Sequence, residues 1–220
     1  MNRNAMFERI LPIQNNVEKL RAMLREMENA DIEKRPDIYE KLSVDAALLS
    51  EQIACHMRHL IYRSTAIKKA EYLGFAGIMQ GIKICFREDF FEITLPCLFP
   101  KRKQRQSTEF LIDPVYFILS QYADENKLPK FSQCVVCFSH IYSRELSFNR
   151  IRDYDNLELK QLLDVIAAFV MEDDTGFLCD TYNTTEIGEN DCTRVTVMNK
   201  NHFLEWLGEH KIHPENISNF

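Results

Sequence analysis

Two pairs of acidic residues in the stretch 152–174 are the residues of this chain best suited to chemistry. Asp153 and Asp155 lie two positions apart, so their side chains project to the same side of an extended or turning segment. Asp173 and Asp174 close the stretch, after a helical segment. Mg²⁺ takes oxygen ligands in octahedral geometry, usually from one or two carboxylates together with water and substrate phosphate. The sequence therefore predicts a magnesium site if the two pairs converge.

Convergence depends on the helix between the two pairs. If that helix ran unbroken over residues 157–171, its ends would lie roughly 22 Å apart at about 1.5 Å per residue. Asp155 and Asp174 could not then share an ion within one chain. If the helix ends near Ala168, residues 169–174 can return as an extended segment that covers up to about 20 Å. The apolar start of that segment permits the return.

The acidic residues also have an ordinary structural interpretation. Asp155 or Asn156 is a natural N-cap for the helix that follows. Residues 173–176, with the sequence D-D-T-G, form a common kind of polar turn. Capping and turn formation explain one acid of each pair but not both members.

The elements around these residues follow a definite order. An apolar strand over residues 133–142 precedes R-D-Y-D-N, a helix with Lys160 and Asp164 follows, and D-D precedes strands that end in residues 193–197. This order resembles the core of the RusA-type Holliday-junction resolvases, a family of small dimeric α+β endonucleases with a D-x-D-N…K…D…D-D signature. The resemblance covers residues 131–198 and implies a similar fold for this region.

The resemblance also implies a function and a role for each residue. The chain would be a Mg²⁺-dependent, structure-selective endodeoxyribonuclease that acts on branched DNA, or an inactive relative of such enzymes. Asp153, Asp155 and Asp174 would be the metal carboxylates, with Asp173 beside them, and Lys160 would be a phosphate-facing or catalytic cation. The chain as a whole also resembles an uncharacterised family carried on mobile elements of Gram-positive bacteria.

The charge of the chain gives little support to DNA binding, which depends on Lys and Arg neutralising phosphates. The formal net charge is −6 and the pI is near 5.6. One basic run stands out, formed by Lys101, Arg102, Lys103 and Arg105. As a loop beside nucleic acid it would contact phosphates without reading sequence. As a solvated loop it would have no specific role.

Length and composition are typical of a globular protein of one or two domains. The 220 residues are 45% hydrophobic and 27% charged. No run of 18 apolar residues exists, and the first ten residues lack an apolar signal core, so we expect a cytoplasmic protein without a membrane partner. Seven irregularly spaced cysteines indicate reduced thiols. Cys134 and Cys137 lie on one predicted strand and should face opposite sides.

Residues 1–75 are predicted to form a long antiparallel helical hairpin that resembles a coiled coil. The first helix carries an a/d seam at Ile10, Ile13, Val17, Leu20, Leu24 and Met27. Pro36 suits the first turn of a second helix, over residues 37–73, that Gly74 ends. The end of the second helix has no partner within the hairpin, so its apolar surface must pack elsewhere, and we expect a homodimer.

Residues 76–220 are predicted to form an α+β domain with a mixed sheet. Alternating apolar residues over 82–86 and 91–95 predict a β-hairpin, and Asp113-Pro114 predicts a helix start. Further strands are expected near residues 176–182 and 193–198, and a last helix over residues 201–211. A second hypothesis therefore stands beside the nuclease: a non-enzymatic interaction protein that oligomerises through the hairpin and keeps the α+β domain as a scaffold.

Overall fold

The structure is a computed structural model of the 220-residue chain. It describes residues 3–87, 89–99, 106–128, 130–145, 151–157 and 159–210. The chain divides into two compact units, Met1–Lys69 and Ala70–Phe220. The described residues of the first unit are helical, and the second unit combines helices with a five-stranded sheet, so the predicted α+β class is confirmed. Among the residues described, no helix is both long and apolar enough to cross a membrane.

The first unit is an antiparallel pair of helices, α1 (Arg3–Asn29) and α2 (Pro36–Ser64). Asn16 Nδ2 donates a hydrogen bond to Gln52 Oε1 at 3.4 Å, and Pro12 lies beside His56 near the open end. Residue numbers that increase along α1 therefore face numbers that decrease along α2, which makes the two helices antiparallel. Pro36 occupies the first turn of α2, as predicted.

The second helix ends at Ser64, well before the predicted end at Leu73. Thr65 has extended backbone angles (φ −126°, ψ 166°), and its N–H and its hydroxyl both donate to the carbonyl of Ile61. The hydroxyl therefore adds a second hydrogen bond beside the last i→i−4 bond of the helix, and the extended backbone of Thr65 ends α2. The observed boundary between the two units lies after Lys69, whereas the predicted boundary lies after residue 75.

A separate helix, α3 (Lys69–Met79), follows the break, and Gly74 lies inside it. The expectation that Gly74 ends a helix is wrong, because this glycine is needed for close packing. A Cβ on Gly74 would lie 2.5 Å from the side chain of Gln121, and one on Gly77 would collide with Ile118. The two glycines therefore allow α3 to approach the helix that carries Gln121 and Ile118.

The second unit is built on one mixed sheet. Its strands are β1 (Lys83–Arg87), β2 (Phe90–Leu95), β3 (Cys134–Ser143), β4 (Cys179–Gly188) and β5 (Cys192–Asn199). Their order is β1-β2-β5-β3-β4, with β3 and β4 parallel and the other neighbours antiparallel. The predicted hairpin of β1 and β2 is confirmed, and β3 lies within one residue of its predicted bounds. β4 begins and ends later than predicted.

Three further helices complete this unit: α4 (Gln106–Glu125), α5 (Lys160–Val170) and α6 (Phe203–Glu209), with 3₁₀ turns at Tyr154–Asn156 and Lys200–His202. The predicted start of α4 at Asp113 is wrong, because the helix begins at Gln106 and includes Pro114. Proline removes one intrahelical hydrogen bond but does not forbid the helix. Tertiary packing of α4 thus outweighs the local start signal.

The core of the unit lies on both faces of β3, where all ten residues are buried. Since side chains alternate along a strand, Val136 and Phe138 contribute to a cluster that includes residues of α4 and α5. Val135 and Cys137 point to the other face and pack with Trp206 of α6. The two faces of β3 therefore hold α5 and α6 on opposite sides of the sheet.

The glycine contact between α3 and α4 gives the first prediction. Replacing Gly77 by Ala should destabilise the unit by about 1–3 kcal/mol, because the added methyl group collides with the buried side chain of Ile118. The measurement is urea unfolding followed by the fluorescence of Trp206, the single tryptophan.

Gly208 in α6 is the matched control, because a Cβ there would meet no atom within 4 Å. Gly208→Ala should be neutral or stabilise by up to about 1 kcal/mol, as expected for a glycine inside a helix. Equal effects of the two substitutions would contradict close packing at Gly77.

Candidate functional site

The R-D-Y-D-N motif lies where the chain leaves the carboxyl end of β3 and begins the crossover to β4. Arg152 fixes this segment, since its N–H donates to the hydroxyl of Tyr142 at 3.2 Å and its guanidinium donates to the carbonyl of Phe99 at 3.0 Å. A 3₁₀ turn at Tyr154–Asn156 follows. The motif is thereby held over the end of the sheet by bonds from residues far away in sequence.

Tyr154, at the centre of the motif, covers a histidine of the sheet. The ring of Tyr154 stacks on that of His140, with centroids 5.4 Å apart and planes inclined by 26°. The hydroxyl groups of Tyr154 and Thr185 are 2.8 Å apart and share a hydrogen bond. His140 is fully buried, and its Nε2 lies 3.2 Å from the amide oxygen of Asn183. The crossover segment, β3 and β4 thus meet in one polar cluster.

The hydrogen bonds of His140 determine its protonation. An amide oxygen can only accept, so Nε2 carries the proton and donates to Asn183, which leaves a lone pair on Nδ1. Nδ1 is buried and has no hydrogen-bond partner among the residues that the structure describes. Burial lowers the pKa of His140, and the bond to Asn183 opposes this shift only in part. The cluster therefore contains a neutral imidazole with a free acceptor atom.

Asp153 and Asp155 flank Tyr154 and are exposed. Neither caps α5, because the residue before that helix is Leu159 and no side-chain cap bond forms there. Asp153 precedes the 3₁₀ turn, also without a side-chain cap bond. The capping interpretation of Asp155 and Asn156 is thus wrong, since the helix begins at Lys160 and not directly after the motif.

The second acidic pair, Asp173 and Asp174, follows the end of α5 at Val170. The helix passes the predicted end near Ala168, and after it Met171 forms an isolated parallel bridge with Phe131. This bridge directs the chain toward the start of the sheet. Asp173 and Asp174 are exposed in the turn that leads to β4.

Lys160 is engaged with an acid of its own helix. Its ammonium lies 2.9 Å from the carboxylate of Asp164 one turn later, and both side chains are substantially exposed. The hydrogen bond to Asp164 raises the pKa of Lys160, and the charge of Asp174 adds to this effect. The structure therefore brings Lys160, Asp164 and Asp174 into one electrostatic neighbourhood.

The two acidic pairs are anchored at opposite ends of β4. Tyr154 binds Thr185, whereas the charge of Asp174 acts on Cys179, the first residue of the strand. Cys179 and Thr185 are about 20 Å apart at about 3.3 Å per residue. Within the part of the chain that the structure describes, no three His, Cys, Asp or Glu side chains are placed to hold a metal ion. The metal-binding roles of Asp153, Asp155, Asp173 and Asp174 therefore remain predictions.

The basic run Lys101, Arg102, Lys103 and Arg105 lies outside the described residues, so its predicted contact with phosphate also remains a prediction.

Sequence reasoning missed a pair of cysteines. Cys134 and Cys137 face opposite sides of β3, as predicted, and belong to different core clusters. The neighbour of Cys134 is instead Cys179, its register partner on β4. Their separation in sequence hides the pair, because only the register of β3 on β4 reveals it. The cover of Tyr154 over His140 could not be predicted either, since a lone histidine in a strand gives no signal of which residue will stack on it.

The buried imidazole gives a prediction about pH. Because the pKa of His140 lies below its ordinary value near 6.5, the unfolded chain binds a proton in the window below pH 6.5 that the folded chain excludes. The stability of the second unit should therefore fall as pH decreases from 7 through 6.5 toward the folded-state pKa, by at most about 1.4 kcal/mol per pH unit. Urea unfolding measured by Trp206 fluorescence at several pH values checks this. His140→Gln should flatten the dependence, and an unchanged pH profile in that variant would contradict the assignment.

Comparison with known proteins places the chain in a family. No curated protein matches this sequence. A family profile matches residues 2–220, which is nearly the whole chain. The protein therefore belongs to the family described as "Family of unknown function (DUF6100)".

Proposed function

We propose that this protein is an oligomerising interaction protein whose helical hairpin joins two copies of the chain. The observation that carries this proposal is the poor core of the hairpin. Among its described residues, only Ile13 and Ala46 are fully buried, whereas Leu24, Val44 and Leu48 are 52%, 52% and 64% exposed. Two helices alone rarely bury enough apolar surface for independent stability.

The seam of α1 supports a further helical partner. Ile13 is buried, and Leu20 and Met27 are half-buried, so these seam residues contact α2. Val17 and Leu24 belong to the same heptad pattern but are 45% and 52% exposed. A row with this spacing is suited to knobs-into-holes packing against another helix. The seam is thus broader than one neighbouring helix can cover.

The α2 helix also has an outward apolar row. Val44 and Leu48 are four residues apart and therefore neighbours on one face, and both are largely exposed. Contiguous exposed apolar surface on a folded unit indicates an interaction site.

A second copy is the partner that we propose for this surface. A second hairpin offers the same rows with the same 3-4 spacing, so two hairpins can form a four-helix bundle in which each row is covered. The charges do not oppose this, because α1 and α2 carry nearly equal numbers of basic and acidic residues while the whole chain carries −6. Self-association of the hairpin therefore meets little electrostatic repulsion.

The prediction is a dimer that a single charge in the apolar rows dissociates. The full chain should sediment near twice its mass of 25.9 kDa. Leu24→Glu and Leu48→Glu should each weaken the dimer at least about tenfold, since each removes apolar burial worth about 1.5 kcal/mol or more. Sedimentation equilibrium at several protein concentrations measures this.

Gln14→Glu is the matched control, because it adds the same charge at an exposed polar position of α1. It should leave the dimer intact. A monomeric wild-type chain, or equal dissociation by the control variant, would contradict the proposal.

A second candidate function is the Mg²⁺-dependent cleavage of branched DNA. The observation that favours it is the exposure of Asp153 and Asp155 on either side of Tyr154, directly over the buried imidazole of His140. Because the pairs are anchored about 20 Å apart along β4, Asp174 would have to come from a second copy. Asp173 would then lie beside it, and Lys160 would face phosphate.

Subunit mixing tests this candidate. Asp155→Asn and Asp174→Asn should each abolish Mg²⁺-dependent cleavage of a four-way DNA junction at low salt, because each removes a charged oxygen ligand. When the two variants are mixed, the mixed dimers should regain a fraction of the wild-type activity, since one of their two shared sites is intact. Wild-type protein that leaves the junction uncut, or variants that do not complement, would contradict it.

A further inference from the structure

Cys134 and Cys179 form a buried pair of thiols at the start of the two parallel strands. They are the first residues of β3 and β4 and are direct register partners. Directly paired residues of neighbouring strands point to the same face of the sheet. Cys134 is fully buried and Cys179 is 7% exposed. The thiol of Cys179 donates a hydrogen bond to the carbonyl of Asp180 at 3.6 Å.

This placement is compatible with a disulfide. Neighbouring strands lie about 4.8 Å apart, and disulfides join cysteines with Cα atoms about 4.4–6.8 Å apart. Because each cysteine is the first residue of its strand, the β3–β4 pairing continues from them in one direction along the strands. A small adjustment of the backbone at this end therefore leaves the rest of the β3–β4 pairing undisturbed.

The two sulfur atoms have different chemical characters. The neighbouring thiol of Cys134 lowers the pKa of Cys179, although burial and the charges of Asp174 and Asp180 oppose this shift. The proximity of Cys179, together with burial, raises the pKa of Cys134. The ammonium of Lys200, which bonds Asp180 at 2.8 Å, also favours the thiolate of Cys179. Since thiolates are the nucleophilic form, Cys179 is the reactive member and Cys134 its neighbouring thiol.

We propose that Cys134 and Cys179 are a dithiol that hydrogen peroxide oxidises to a disulfide between β3 and β4. The thiolate of Cys179 attacks one peroxide oxygen, the O–O bond breaks, and the departing hydroxide takes a proton to become water. Cys179 is then a sulfenic acid. The sulfur of Cys134 attacks the sulfur of Cys179, the S–O bond breaks, and hydroxide leaves with the proton of the Cys134 thiol as a second water. Two thiols lose two electrons in total, and one peroxide gains them.

The environment of the other cysteines makes this pair selective. Cys137 is buried on the opposite face, and burial raises its pKa to about 12. Burial also raises the pKa of Cys192. Cys55 is exposed on α2, in the other unit. Cys137 and Cys192 are thus expected to react more slowly with peroxide than Cys179.

Peptide mapping of the full chain under non-reducing conditions tests the proposal. After peroxide treatment, two of the seven thiols should be lost, and a linked pair of peptides should contain Cys134 and Cys179. If both cysteines can still be alkylated after a peroxide dose that oxidises the exposed Cys55, the proposal is wrong. This measurement uses the wild-type chain, so it does not depend on whether a variant folds.

Serine variants test the order of the two steps. Cys134→Ser should stop at the sulfenic acid of Cys179, which dimedone traps, whereas Cys179→Ser should lose most dimedone labelling in the β3–β4 peptides. Cys137→Ser is the matched control on the same strand and should still form the disulfide. If dimedone labels Cys134 in the Cys179→Ser variant as strongly as it labels Cys179 in the Cys134→Ser variant, the assignment of Cys179 as the reactive thiol is wrong.

Discussion

The parallel pairing of β3 with β4 is the constraint on which the second unit depends. Two parallel strands cannot be joined by a tight turn, so the chain must cross the sheet before it can pair again. Here the crossover consists of the R-D-Y-D-N segment and α5. It begins at the carboxyl end of β3 and ends at the amino end of β4. The acidic residues before α5 and those after it therefore belong to different ends of the crossover, while the charge of Asp174 acts on Lys160, the first residue of α5.

The same pairing decides which polar groups become buried. β3 lies between β4 and β5, and all ten of its residues are buried, including Ser139 and His140. Within the described ranges, the hydroxyl of Ser139 and Nδ1 of His140 have no hydrogen-bond partner. Burying polar atoms without partners costs free energy, so they mark positions where packing alone does not explain the residue. On the face that carries His140, the ring of Tyr154 covers the imidazole.

The hairpin and the α+β unit differ in how they reach stability. The second unit has a continuous core built from both faces of β3, with α4 and α5 on one side and Trp206 on the other. The described part of the hairpin has two buried side chains, Ile13 and Ala46, and several large exposed ones. In our proposal, association with a second copy covers these exposed side chains.

The sequence by itself determined the elements whose signals are local. The heptad spacing of Ile10 to Met27 marks α1, Pro36 marks the start of α2, and alternation over residues 82–95 marks the first β-hairpin. Helical and strand periods are properties of neighbouring residues, so they can be read without knowing the fold.

Tertiary structure alone decided the remainder. Gly74 lies inside α3, close to the side chain of Gln121, and α4 extends through Pro114 because its packing outweighs a local start signal. Other features join residues that are far apart in the chain. They are the position of β5 between β2 and β3, the stacking of Tyr154 on His140, and the pairing of Cys134 with Cys179. Such contacts depend on which surfaces bury each other, and no local pattern records that choice.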